Sequence, residues 1–152
     1  EHDFDVEVVD LSQSGLDKLK KFADEKGLQI KTHVGDIMKE KIHGTYESIV
    51  SSFMMHHLSR FEAETLIKEM KEHTAPGGVN VLAVFTKEGD FYKSDPNTKC
   101  FYPELGELKN LYSDWEVKGY EEIEGTANQT NEDGTHKKNI NATIIAQKPK
   151  NE

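Results

Sequence analysis

The sequence predicts an α/β fold in which strands alternate with helices and an antiparallel hairpin closes the chain. Three apolar runs, at 4–10, 28–37 and 46–58, each end in acidic, small or His residues, and the first two are followed by helical or polar segments. Two further strand patterns, at 115–123 and 138–147, have no helix between them. This order indicates a mostly parallel sheet with one antiparallel strand. Because ligands bind just outside the carboxyl ends of strands in open α/β sheets, the polar strand ends predict one rim of a binding crevice.

The first third of the chain predicts a strand, a helix and a second strand. The strand covers Phe4–Val9 and ends at Asp10. Ser12 and Ser14 can cap a helix that runs to about Lys26, with Leu16, Leu19, Phe22 and Ala23 on one face. Gly27 stands where a left-handed helix cap is expected. The second strand follows at Leu28–Val34, where apolar residues alternate.

The middle of the chain predicts a second strand–helix–strand unit. A strand is expected at Tyr46–Phe53, and the pattern Ser59-Arg-Phe-Glu62 is typical of a capping box. The helix it opens is expected to reach about His73, stopped by the Pro-Gly-Gly sequence at 76–78, and a strand follows at Val79–Phe85. The residues that should face the core on this helix are Ala63, Leu66, Ile67 and Met70.

The last third predicts an irregular segment and a long hairpin. Residues 86–102 are rich in charge and aromatic side chains, and Pro103 is expected to start a short helix that carries Leu105, Leu108 and Leu111. The hairpin strands at Trp115–Ile123 and Lys138–Gln147 are joined by a polar loop, Ala127–Lys137.

Composition limits the classes of function. The chain has 152 residues and is expected to form a single domain, and its net charge of −9 argues against a nucleic-acid partner. No apolar run reaches the ~18 residues that a membrane-spanning helix needs. Cys100 is the single cysteine, which fits a reducing cytoplasm. We therefore expect a cytoplasmic monomer or homodimer that acts on a small molecule.

Two features of the strand ends can be interpreted chemically. Asp10 could accept hydrogen bonds from both hydroxyls of a ribose, although a solvated acid or a helix cap would show the same pattern. Asp36 could be a second ligand-binding carboxylate at a strand end or, with about equal support, a turn aspartate after Gly35. The adjacent pair His56-His57 does not predict a metal site, because neighbours in an extended segment point to opposite sides.

Several segments resemble class I S-adenosylmethionine-dependent methyltransferases, and among these the tellurite-resistance methyltransferases of the TehB type. The resemblance rests on DVEVVDLSQSGLDKLK, THVGDI and YESIVSSFMMHHL, and on the more family-specific EMKEHTAPGGVNVL and ELKNLYSDWE. It covers nearly the whole chain. It implies a Rossmann-like sheet and S-adenosyl-L-methionine as the cofactor.

The resemblance also implies a role for each strand end. Asp10 would bind the ribose, Leu11 would pack on the adenine edge, and Asp36 with the apolar Ile37 would hold the adenine. The end of the central strand, Ser51, Ser52 and Phe53, would lie beside the methionine part, and His57 would border the methyl-transfer site as the candidate catalytic residue.

The family pattern differs from this chain at the expected acceptor site. A family member would carry a His-Arg pair before the hairpin turn and another Arg shortly after it, whereas this chain has Asn128-Gln129 and His136. These three residues are the expected substrate-binding residues, but they form a weaker anion clamp than two guanidinium groups. The comparison therefore supports methyl transfer more strongly than it supports tellurite or selenite as the acceptor.

Two alternatives stay open. A nicotinamide-dependent oxidoreductase would also use Asp10, but the nearest match to its Tyr-x-x-x-Lys pattern, Tyr112 to Glu116, lacks the Lys. A nucleotide-cofactor-binding protein without catalysis is the other, because no glycine-rich loop precedes the first strand. Glu1–Asp3 resemble the end of the helix after that loop, so we expect the chain to lack the first strand and helix of the family fold.

Overall fold

The computed structural model describes residues 4–150, which form two compact units, and the predicted helix end at Glu1–Asp3 lies outside them. The first unit ends at Ile42 and the second begins at His43. The strands are β1 (Val6–Asp10), β2 (Ile30–Val34), β3 (Tyr46–Ser52), β4 (Thr74–Phe85), β5 (Glu116–Thr130) and β6 (His136–Gln147). The helices are α1 (Gln13–Glu25), α2 (Ile37–Glu40), α3 (Arg60–His73), α4 (Asp90–Ser94) and α5 (Glu107–Asn110).

The predicted α/β class with a mixed, largely parallel sheet is confirmed. In the first unit β1 and β2 pair in parallel, and in the second the strand order is β3-β4-β6-β5. There β3 and β4 are parallel, while β6 runs antiparallel to both of its neighbours. Whether the chain forms one methyltransferase domain that lacks a first strand stays a prediction.

In the first unit, local sequence signals fix the ends of α1. The Ser12 side chain accepts a hydrogen bond from the Gly15 backbone N–H at 3.1 Å and so caps the helix, and Gly27 has φ +67°, the left-handed conformation expected there. On the predicted apolar face Leu16 and Ala23 are buried. Phe22, however, is 57% exposed, so the buried face of α1 within this unit is narrower than the apolar face that the sequence predicts.

In the second unit, α3 packs on β4 and α5 packs on β6. The capping box of Ser59 and Glu62 is present. The four residues predicted to face the core from α3 are all buried: Ala63, Leu66, Ile67 and Met70. Below this helix, β4 alternates between buried and half-buried side chains, which is the period-2 pattern of a strand with one well-covered face.

The Pro-Gly-Gly sequence does not end α3. The helix already ends at His73, because Thr74 is extended (φ −87°, ψ 132°) and its hydroxyl donates to the Met70 carbonyl at 2.6 Å. The prediction for Pro103 is also wrong. Pro103 is buried and its carbonyl accepts from the Lys87 N–H at 3.1 Å, so α5 begins only at Glu107, after Gly106 at φ +79°.

The hairpin loop is shorter than predicted. The strands continue through the polar sequence to Thr130 and resume at His136, which leaves a turn of residues 131–135. This turn is held by the Asn131 N–H, which donates to the Thr135 carbonyl at 2.7 Å. Backbone pairing needs no apolar side chains, so a polar sequence did not mark the end of either strand.

Candidate functional site

Two carboxylates of the first unit, those of Asp10 and Asp36, lie where the strands of its two-stranded sheet end. Asp10 is paired with Val34 across the parallel register, and the Gly35 N–H donates to the Asp10 carbonyl at 3.1 Å. The Asp10 side chain is exposed and accepts a hydrogen bond from the Ser12 N–H at 2.7 Å. Asp36 follows two residues after Val34. The sequence therefore brought Asp10 and Asp36 to the same edge, as predicted from the strand ends.

Asp36 also has a structural task. Its Oδ1 accepts from the Met38 N–H at 3.1 Å, which caps α2, and its Oδ2 lies 3.3 Å from the Lys39 ammonium. The apolar neighbours of the two carboxylates differ in exposure, since Leu11 is 73% exposed whereas Ile37 is half-buried. An exposed leucine directly after a strand-end carboxylate offers an apolar surface to a ligand.

The carboxyl end of β3 in the second unit has a buried hydroxyl without a hydrogen-bond partner and a residue with a left-handed backbone conformation. The buried Ser51 Oγ has no hydrogen-bond partner among residues 4–150, whereas the neighbouring Ser52 is exposed. Phe53 has φ +49°, a left-handed conformation that is costly for an aromatic residue, and its N–H donates to the Ala83 carbonyl at 2.8 Å. Such backbone strain persists only where the surrounding structure holds it, and it is common at ligand sites.

The two histidines differ strongly in environment. Both lie in a short 3₁₀ turn, Met55–His57. His56 is half-buried, with its ring centroid 4.9 Å from that of Phe85, whereas His57 is exposed. Burial, and secondarily the adjacent His57, lower the pKa of His56 to about 4, so His56 is neutral at pH 7. The family resemblance implied a role for His57, which stays a prediction, and it did not single out His56, because nothing in the local sequence distinguishes the two.

A cavity of about 350 Å³ lies within the second unit, beside the strained Phe53. Its wall contains Phe53, Phe85, Phe91, Gly125, Thr126, Ala127, Asn128, Gln129, Asn139 and Asn141. The rings of Phe53 and Phe85 are 4.8 Å apart, and Phe91 meets Phe85 edge-on at 4.9 Å.

Some of the predicted site residues line the cavity and others do not. Asn128 and Gln129 line it, as does Phe53, whereas His57 and His136 are not among the lining residues. The ring of His136 is instead 3.0 Å from the Ala127 carbonyl across the hairpin. Sequence reasoning missed Asn139 and Asn141, because an asparagine within a strand shows no local sign of facing a cavity.

Backbone and side-chain bonds hold one wall of this cavity in place. The Asn139 Oδ1 accepts from the Phe91 N–H at 3.0 Å and thereby attaches the start of α4 to β6. Asp90 accepts from the Lys138 N–H at 2.7 Å, and this bond, with a second from Asn131, lowers the pKa of the Asp90 carboxyl. The aromatic side of the cavity is therefore fixed to the hairpin.

Among the described residues, no cluster of three or more His, Cys, Asp or Glu side chains is arranged to hold a metal ion. Within residues 4–150, no helix is both long enough and apolar enough to cross a membrane.

The fold is that of the S-adenosylmethionine-dependent methyltransferase class. The structure resembles that of a SAM-dependent methyltransferase from Methanosarcina mazei with a TM-score of 0.70 over 97% of this chain and 83% of the other, at 18% identity. It resembles the crystal structure of TehB from Haemophilus influenzae more strongly, with a TM-score of 0.81 and 31% identity over 96% of this chain and 50% of the other.

The sequence identifies the family within this class. Residues 1–145 match the family described as "Tellurite resistance protein TehB", and the chain belongs to this family. A "Probable S-adenosyl-L-methionine-dependent methyltransferase TehB" from Haemophilus influenzae is 32% identical over 145 residues. The match includes 95% of this chain but 50% of the relative, so the chain spans about half the length of the curated relatives it matches.

Proposed function

We propose that this chain supplies part of the cofactor site and the acceptor side of an S-adenosylmethionine-dependent methyltransferase. The observation that carries the proposal is the membership of residues 1–145 in the TehB family, together with two carboxylates at one sheet edge. The reaction would be methyl transfer to a small acceptor. The family description suggests tellurite as the acceptor, and selenite is a chemically similar oxyanion.

The residues present fit such a cofactor. The Asp10 carboxylate is exposed and can accept from ribose hydroxyls, and the exposed Leu11 offers an apolar surface for the adenine. Asp36 would accept from the adenine amino group, with Ile37 beside it. In the second unit, the unpartnered Ser51 Oγ, with Ser52 and Phe53, would contact the methionine part.

When bound, the cofactor supplies an electrophilic methyl group on a sulfonium. The contribution of this chain is then positioning and exclusion of water, which can provide much of the acceleration of a displacement reaction. His57 stays a proposed neighbour of the transfer site. The structure adds His56 as a second candidate, because its neutral imidazole already packs against Phe85 in the cavity wall.

Calorimetric titration with S-adenosylmethionine and, separately, with NADH tests this proposal. We expect binding of S-adenosylmethionine only. Binding of NADH instead would favour an oxidoreductase, and binding of neither would favour a protein without catalysis.

A matched pair of variants tests the role of Asp10. Asp10→Asn keeps an oxygen that can accept from the Ser12 N–H but loses the charge and one acceptor, so the affinity for S-adenosylmethionine should fall by about 10- to 100-fold. Asp24→Asn, an exposed site on α1, is the control and should leave the affinity unchanged. Equal affinities of the two variants would refute the ribose contact.

A further inference from the structure

The cavity beside Phe53 is lined without charge. Three phenylalanine rings and several amide side chains form its wall, and none of the described residues that line it is charged. One lysine of the hairpin lies beside the wall, because the Lys137 ammonium is 5.9 Å from the centroid of the Phe91 ring. The Lys138 ammonium donates to Glu124 at 2.7 Å, and the Lys137 ammonium donates to the Ser94 hydroxyl at 2.8 Å. The lining side chains themselves therefore offer an anion no positive partner to replace its hydration.

One polar atom of the wall lacks a partner. The two asparagines of β6 differ in this respect, because Asn139 accepts from the Phe91 N–H whereas the buried Asn141 Oδ1 has no hydrogen-bond partner among residues 4–150. Asn141 lies opposite Phe85 in the β4–β6 register. A buried carbonyl oxygen without a donor is unfavourable, and a ligand that brings a donor removes this cost.

The volume and the shape of the wall restrict the rest of the ligand. A cavity of about 350 Å³ is at the lower end of the range of small-molecule sites, roughly 300–1,000 Å³. The rings of Phe53, Phe85 and Phe91 present aromatic surface to whatever fills it. A molecule of one ring, or of similar size, fits these limits.

We propose that this cavity receives the methyl acceptor and selects an uncharged molecule with a flat apolar body and an N–H or O–H donor, with Asn141 as the specificity-determining residue. This inference rests on the proposed methyltransferase function. The proposed acceptor is therefore not an oxyanion, because the unpartnered side-chain oxygen of Asn141 attracts a hydrogen-bond donor and repels a negative charge.

The chemistry balances without a further reagent. A lone pair of the acceptor nitrogen or oxygen forms the new bond to the methyl carbon, and the electron pair of the broken carbon–sulfur bond stays on sulfur. The proton that the acceptor carried is released to water. Asn141 would hold an acceptor N–H or O–H by its carbonyl oxygen and so orient the lone pair.

Four one-ring probes and one inorganic oxyanion test the selection directly. At pH 7.5, aniline and phenol are uncharged donors, toluene has the same body without a donor, and benzoate and selenite are anions. Binding is followed by NMR through the backbone amide signals of residues 125–129, which line the cavity and are present in every variant. We expect aniline and phenol to bind roughly 3- to 10-fold more tightly than toluene, the gain of one hydrogen bond. Benzoate and selenite should produce no saturable shift.

Two variants assign the selection to Asn141. Asn141→Leu removes the amide, so aniline and toluene should bind this variant with equal affinity; Asn97→Leu changes an exposed asparagine and should keep the preference for aniline. If Asn141→Leu fails to fold, Gly125→Ala replaces it. A Cβ at Gly125 would lie 2.5 Å from the Asn141 Nδ2 and displace the amide, which should weaken aniline binding while the unfolding temperature is recorded as a control.

The outcomes separate the two proposals. Tighter binding of selenite or benzoate than of aniline, or a preference for aniline that survives Asn141→Leu, overturns the inference. A titration with S-adenosylmethionine on the same sample tests the function independently. If S-adenosylmethionine binds and the probes fail, only the acceptor class is wrong; if it does not bind, the cofactor site proposed for this chain fails whatever the probes do.

Discussion

The stability of this protein should depend on pH through His56. The pKa of His56 in the folded state is about 4, against 6.5 for an exposed histidine, because burial and the adjacent His57 disfavour the imidazolium. Between pH 6.5 and about 4 the unfolded chain therefore binds a proton that the folded chain does not. By linkage, the free energy of unfolding falls as the pH is lowered through this window and is unaffected by this group above it.

The size of the effect follows from the gap between the two pKa values. At about 1.4 kcal/mol for each pH unit, the upper limit is about 3 kcal/mol. Because His56 is only half-buried, solvent screening reduces this, and we expect a loss of about 1–2 kcal/mol between pH 7 and pH 4.5. His56→Phe keeps a ring against Phe85 but cannot titrate, so it should remove this part of the pH dependence.

Urea unfolding at pH 7 and at pH 4.5 gives the loss in the free energy of unfolding between these pH values, for the wild type and for each variant. His43→Phe, at an exposed position, is the control and should retain the wild-type loss. An NMR titration of the His56 ring should give a midpoint near 4. An equal loss of stability in His56→Phe and the wild type, or a midpoint near 6.5, would refute the assignment of His56 as a buried neutral imidazole.

Two further predictions concern the core and a helix end of the second unit. Asn80 donates to the Tyr112 hydroxyl at 3.0 Å in a buried network, so Asn80→Leu should lower the free energy of urea unfolding by about 2–3 kcal/mol; the exposed control Asn97→Leu should change it by less than about 0.5 kcal/mol. Ser59→Ala removes the cap of α3 and should cost about 1 kcal/mol, against almost none for the exposed Ser113→Ala; equal values for the two serines would contradict the capping role.

Local signals predicted the elements whose ends are set by local bonds. The caps at Ser12 and Ser59 and the left-handed Gly27 depend on residues within one helical turn, and the structure has all three where the sequence placed them. Elements whose limits depend on distant partners were predicted less well. The Pro103 carbonyl accepts from the Lys87 N–H, a contact between loop segments that no local pattern encodes.

The candidate site divides in the same way. Asp10 and Asp36 could be predicted because strand ends are recognisable and parallel neighbours end at the same edge. The role of Asn139 depends on a backbone N–H 48 residues away, and the Asn141 side-chain oxygen is without a partner because none of the described residues brings such a donor to it. The difference between His56 and His57 depends on which ring meets Phe85. None of these relations is visible in one sequence.

Costly features are concentrated at one place in the second unit. Within the part of the chain that the structure describes, the buried side-chain atoms without a partner are Ser51 Oγ, His56 Nδ1 and Asn141 Oδ1. Ser51 and His56 flank Phe53, whose φ of +49° is itself unfavourable, and Asn141 lines the cavity that Phe53 borders. A sequence selected for stability alone would satisfy these atoms or replace them with apolar groups. The unpartnered Asn141 oxygen and the strained Phe53 in one cavity wall are the pattern expected of a binding site, where a ligand supplies the hydrogen bonds that the protein lacks.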